Sequence, residues 1–131
     1  MRLLLDTHIW IWSLTDPGRL SRRVSKSLHD PENEIWLSPI SVWETLVLVR
    51  KGRLILEGKP EAWIREALSK ASLKEATLNH EVAIVSSTLR LAHQDPADRL
   101  LAATAIVYDL ILVTADERLL GARQVTSLAN R

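Results

Sequence analysis

The sequence predicts an α/β fold in which a parallel sheet is flanked by helices. Three observations predict it. Two short runs, Leu3-Leu4-Leu5 and Leu110-Ile111-Leu112-Val113, are wholly apolar, as strands buried on both faces tend to be. The stretches between such runs carry helix spacing and helix punctuation, so strand and helix alternate. Both runs then give way to an acid, Asp6 in the first case and Asp116 in the second. That is the carboxyl edge, where open α/β sheets hold their sites.

Length and composition fit this reading. With 131 residues, the chain is expected to form one domain spanning 1–131. Lys and Arg number 17 against 16 Asp and Glu, so no overall basic charge advertises nucleic acid. There is no cysteine, which excludes disulfides, thiolate metal sites and thiol nucleophiles and suits a reducing cytoplasm. No run approaches the about 18 apolar residues of a membrane span. The opening Met1-Arg2-Leu3-Leu4-Leu5-Asp6 lacks a signal-peptide layout.

In order, Leu3–Leu5 reads as the first strand and His8–Leu14 as a short apolar helix. Asp16-Pro17-Gly18 is a turn, and Ser21–Leu28 a helix with a basic face. Glu34–Leu37 is the second strand. Ser38-Pro39 opens a helix from about Ile40 to Lys51, stopped by Gly52. Pro60–Lys70 is a surface helix, Leu73–Leu78 a short strand, and Asn79–Ala92 a helix capped by Asn79. Asp95 caps the next helix and Pro96 takes its first position. This helix, with Leu100, Leu101, Ala102, Ala103 and Ala105, is apolar all round and reads as buried. Leu110–Thr114 is the clearest strand, β-branched and apolar. Gly121 closes a short helix, and Gln124-Val125-Thr126 is expected as a last edge strand.

Four acids stand out. Asp6 and Asp116 would emerge together at the carboxyl edge of a parallel sheet. Asp98 lies in the first turn of the helix that feeds the Asp116 strand, so it starts at that edge too. Glu44 is the one ionisable side chain among the apolar residues Ile40–Val49, where burying it is costly unless it is paired or holds a cation. A plainer account exists for each: Asp6 and Asp98 as helix caps, Glu44 on a wet stripe or paired with arginine. Gathered together, the acids would repel, and a hard divalent cation removes that penalty. Oxygen donors without sulfur favour Mg²⁺ or Mn²⁺, the ions of phosphodiester hydrolysis.

The sequence resembles the PIN domain, and within it the VapC-type toxins of bacterial and archaeal toxin–antitoxin pairs. The resemblance lies in Leu3-Leu4-Leu5-Asp6-Thr7-His8, in Ser38-Pro39-Ile40-Ser41-Val42-Trp43-Glu44 with Lys51-Gly52-Arg53-Leu54, in His93-Gln94-Asp95-Pro96-Ala97-Asp98-Arg99-Leu100 with Ala102-Ala103-Thr104-Ala105, and in Leu112-Val113-Thr114-Ala115-Asp116. It implies a PIN-like sheet of about five parallel strands and a Mg²⁺- or Mn²⁺-dependent endoribonuclease. By motif position Asp6, Glu44, Asp98 and Asp116 match the family's catalytic acids. Asp6, Asp98 and Asp116 match its metal site, with Glu44 orienting a water or a second ion. Thr7, Ser38 and Thr114 match hydroxyls near the metal or the scissile phosphate. Asp95 is an extra acid, read as a helix cap.

The resemblance further implies a cognate VapB-like antitoxin lying over an apolar groove, a homodimer, and RNA as substrate. The five tryptophans would suit such a groove, and core packing explains several equally well. With near-neutral net charge, phosphate binding would rest on local arginines, with Arg50, Arg53 and Arg99 as candidates. Two other functions remain open on the sequence alone: a housekeeping RNA-processing nuclease, and a non-catalytic binding module whose acids merely cap helices.

Overall fold

The computed structural model describes residues 1–91 and 94–131. Five strands form one parallel sheet: β1 (Arg2–Leu5), β2 (Glu34–Leu37), β3 (Leu73–Glu75), β4 (Ile111–Thr114) and β5 (Ser127–Ala129), in the order β3-β2-β1-β4-β5. The helices are α1 (Thr7–Thr15), α2 (Arg22–His29), α3 (Pro39–Arg50), α4 (Pro60–Lys70), α5 (His80–Thr88), α6 (Pro96–Val107) and α7 (Glu117–Leu120). The expected α/β architecture is the one found.

The sheet is sealed on both faces. Leu4 and Leu112 are register partners and face a core built with α5 and α6, including Val82, Leu101, Ala102, Ala103 and Ala105. Leu5 and Val113, the next pair, face the opposite core with Ile9, Trp10, Val24 and Ile64. The alternation follows from the pleat, and it explains why Leu3–Leu5 of β1 and Ile111–Val113 of β4 are apolar throughout. The alanines of α6 are fully buried and let that helix lie close to the sheet.

Boundaries differ from the sequence reading in three places. The last strand is Ser127–Ala129, three residues beyond the expected Gln124–Thr126. Val125 is instead buried in the α6-side core, and the Thr126 carbonyl accepts from Leu112. The third strand stops at Glu75 rather than Leu78. Helix α5 ends at Thr88, because Leu89 turns extended (ψ 141°). The expected end of that helix at Ala92, and His93 of the third motif, lie outside the described residues.

The sheet positions the acids by register. Leu5 pairs with Val113, and the Asp6 amide donates to the Val113 carbonyl at 2.9 Å. The residues just beyond both strands therefore stand side by side at one edge.

Candidate active site

Asp6 terminates β1 and caps α1. One carboxylate oxygen accepts from the Thr7 amide at 2.8 Å, and the other accepts from the Thr114 hydroxyl at 2.6 Å. Burial pushes the Asp6 carboxyl above the ordinary aspartate range. The Thr114 and Thr7 hydrogen bonds and His8 pull it back, and the neighbouring Asp116 charge pushes it up again.

Glu44 comes from α3, which packs against α1, α4 and α6. That packing is why nearly every face of α3 is apolar and why one glutamate stands out there. The buried Thr7 hydroxyl donates to Glu44 at 2.5 Å and lies 3.0 Å from Ser41 Oγ. Burial raises the Glu44 carboxyl; the Thr7 hydrogen bond opposes this, and the charges of Asp6 and Asp95 add to it. Among the described residues no ion pair holds Glu44.

The remaining acids come from two helix starts. Asp95 caps α6, accepting from the Ala97 and Asp98 amides at 2.9 and 3.3 Å. Asp98 sits in the first turn of α6, as predicted. Asp116 caps α7 and is gripped by Arg118: Nε lies 3.2 Å from Oδ1 and Nη2 3.1 Å from Oδ2. The Arg118 guanidinium also feels the charges of Asp98 and Asp95.

Asp6, Glu44, Asp95, Asp98 and Asp116 line one cavity together with Thr7, His8, Trp12, Ala115 and Arg118. The sequence expected four acids to gather, and they do. Among the described residues, no three carboxylates or imidazoles are drawn tightly enough together to hold an ion as the side chains stand. The donor set is nonetheless all oxygen, apart from His8, and two of its members, Asp6 and Glu44, are raised by burial and by neighbouring carboxylates. A hard cation suits such a set.

Three candidates from the sequence fall elsewhere. The Arg99 guanidinium is engaged by the Ser86 and Leu89 carbonyls at 2.7 and 2.8 Å, with a further contact to Gln94. It satisfies the end of α5 and is not turned to phosphate. Ser38 is fully buried; its hydroxyl caps the Ile40 amide and lines a different, apolar groove. Arg50 ends α3 outside the acid cavity, whereas Arg53 lines a cleft beside it. Ser41, against Thr7, and Arg118, in the cavity lining, stand at this candidate site, and the motif reading passed over both. Ser41 could have been found by spacing, since it lies three residues before Glu44 on the same helix face. Arg118 carried no comparable signal.

The match to known proteins agrees with this geometry. The PIN domain family model covers residues 3–124. The chain belongs to the PIN domain family. Ribonuclease VapC22 of Mycobacterium tuberculosis is 31% identical over 118 residues, covering 89% of this chain and 88% of that protein. The fold of this PIN domain is shared with VapBC2 from Rickettsia felis bound to promoter DNA, with a TM-score of 0.75, 19% identity and 98% of each chain covered. It is shared also with FitAcB from Neisseria gonorrhoeae, with a TM-score of 0.66, 25% identity and 98% and 97% covered. No helix among the described residues of this PIN domain is long and apolar enough to cross a membrane.

Proposed function

We propose that this PIN domain is a Mg²⁺- or Mn²⁺-dependent endoribonuclease and the toxin of a toxin–antitoxin pair. What carries the reading is the gathering of five acids on one cavity at the carboxyl edge, in a chain 31% identical to a protein named as a ribonuclease. Asp6, Asp98 and Asp116 would hold the ion. When bound, it would stabilise charge on the phosphate and make a bound water a better nucleophile.

The chain's own residues do the rest. Thr114 and the Thr7 amide fix the Asp6 carboxylate by its two oxygens. Thr7, backed by Ser41, fixes Glu44. Glu44 orients the attacking water and accepts its proton, a role suited to a carboxyl raised above the ordinary glutamate range. The water oxygen bonds to phosphorus as the bond to the leaving oxygen breaks, and the leaving oxygen takes a proton from solvent to depart as a hydroxyl.

A VapB-like antitoxin is the expected partner, because the neighbouring folds include VapBC complexes. The apolar groove lined by Leu37, Pro39, Val42, Leu68 and Leu73 suits its tail. A homodimer is the expected assembly.

The test is cleavage of single-stranded RNA with Mg²⁺ or Mn²⁺ and with chelator. Asp98→Asn should abolish cleavage with an unchanged circular dichroism spectrum. Expression should arrest growth, relieved by the product of an adjacent antitoxin gene. Full activity in Asp98→Asn overturns the assigned site.

A further inference from the structure

We infer that a cleft beside the acid cavity seats a nucleobase of single-stranded RNA, with Trp43 as the stacking face and Lys51 and Arg53 as the phosphate contacts. The inference rests on the ribonuclease reading above and names how that site would hold its substrate.

Of the five tryptophans, four are buried or half-buried and packed. Trp10 meets Trp63 edge-on at 6.5 Å, Trp36 lies against Tyr108, and Trp12 lies between His8 and Arg19. Trp43 alone is exposed, at 54%. Its ring is left in water on a helix whose other large apolar side chains are at least half-buried, so its face is open to a planar partner.

Helix spacing sets the wall of the cleft. Trp43, Val47 and Lys51 follow one another at four-residue steps along α3, so they form one stripe. Glu44 and Leu48 form the adjacent stripe. The end of α3 then folds back. Gly52 takes φ +72°, its amide bonds the Val49 carbonyl, and the Arg53 amide bonds the Leu48 carbonyl at 2.9 Å. This turn brings Arg53 over the last turn of α3 instead of letting it run on into solvent. Pro96 and Ala97 of α6 line the cleft as well.

The cleft and the acid cavity are continuous, sharing His8, Glu44 and Asp95 in their linings. Its other lining residues include two exposed cations, and among the described residues neither is held in an ion pair. An aromatic face flanked by cations is the way single strands are held without sequence readout. A phosphodiester in the acid cavity would leave its neighbouring base at Trp43 and the next phosphate near Lys51 and Arg53.

The experiment measures binding of a short fluorescein-labelled single-stranded RNA of mixed sequence in EDTA, where cutting is suppressed. Cleavage with Mn²⁺ and oligomeric state by light scattering are recorded on the same samples. Trp43→Ala should weaken RNA binding by about tenfold or more, and Trp43→Phe should restore most of it. Changing Lys51 and Arg53 together to glutamine should lower the slope of log affinity against log salt by about 1.4. Mn²⁺ affinity and oligomeric state should not move in any of these variants.

Wild-type affinity in Trp43→Ala, with wild-type protein binding and cutting RNA, overturns the cleft and leaves the nuclease reading standing. An altered oligomeric state in Trp43→Ala with unchanged RNA affinity overturns it in favour of a second copy on Trp43. RNA bound but never cut by wild type would sink the nuclease reading, with the cleft still judged by the Trp43 variants. Neither binding nor cutting overturns both.

Discussion

The ends of β1 and β4 share one local design and reach different outcomes. Each strand is buried, each is followed by an aspartate that caps the next helix, and the two stand side by side in register. Asp6 is half-buried at the cavity, fixed by Thr7 and Thr114 and raised by burial. Asp116 is also half-buried, and it takes two side-chain hydrogen bonds from the exposed Arg118. One end is held by a backbone amide and a buried hydroxyl; the other is held by an exposed side chain. The Thr114 hydroxyl joins them, donating to Asp6 while accepting from the Asp116 amide at 3.0 Å.

The sharpest way to break the comparison is therefore Thr114→Val, which keeps the strand and removes the link. A buried Asp6 oxygen loses its donor and the Asp116 loop loses its acceptor. Groups that orient metal ligands typically govern affinity by about 10–100-fold. Titration calorimetry with Mn²⁺ should show a loss of that size, and RNA cleavage should fall with it. Unchanged Mn²⁺ affinity would mean that the two ends act independently.

A second test concerns the Asp6 end. The Asp6 and Glu44 carboxyls are raised in the folded protein, so without metal the fold favours their protonated forms. Their contribution is complete below the unfolded pKa and is lost as pH rises through the folded one. Chelated wild type should lose thermal stability as pH climbs from the acid side toward neutrality. Asp6→Asn keeps a capping side chain and should flatten that slope, melting a few degrees higher than wild type near neutral pH and alike in acid. Mn²⁺ should raise the melting temperature of wild type and not of the variant. The same slope in both would place the pH sensitivity outside Asp6.

What could be read in advance was what is local. Asp95-Pro96 announces α6, and Pro60–Lys70 is bounded as its residues suggest, because caps and prolines act within a turn. The convergence of Asp6, Asp98 and Asp116 was legible because a parallel sheet puts strand ends on one edge. The role of Arg99 was not. It closes the orphan carbonyls at the end of α5, ten and thirteen residues away, and nothing local to Arg99 reveals that. Ser38 sits in the right motif, but the first turn of α3 aims its hydroxyl at Ile40. The last strand was misplaced because Ser127-Leu128-Ala129 has one buried apolar residue and no β-branched one. Val125-Thr126 looks more like a strand and is used as packing and turn.

The smallest effect should come from the Asp116 end. Arg118 places a cation in the acid cavity that an incoming metal ion would have to displace from Asp116. Because the pair is exposed, its hold is weak, so Arg118→Ala should tighten Mn²⁺ binding only a few-fold, read by calorimetry. The tightening should be greatest at low salt and fade as salt rises, since ions screen the pair. Thr114→Val and Arg118→Ala then move Mn²⁺ affinity in opposite directions from the same strand end. If Arg118→Ala weakens Mn²⁺ binding instead, the guanidinium is holding Asp116 in its binding posture, and the contrast between a fixed end and a yielding one fails.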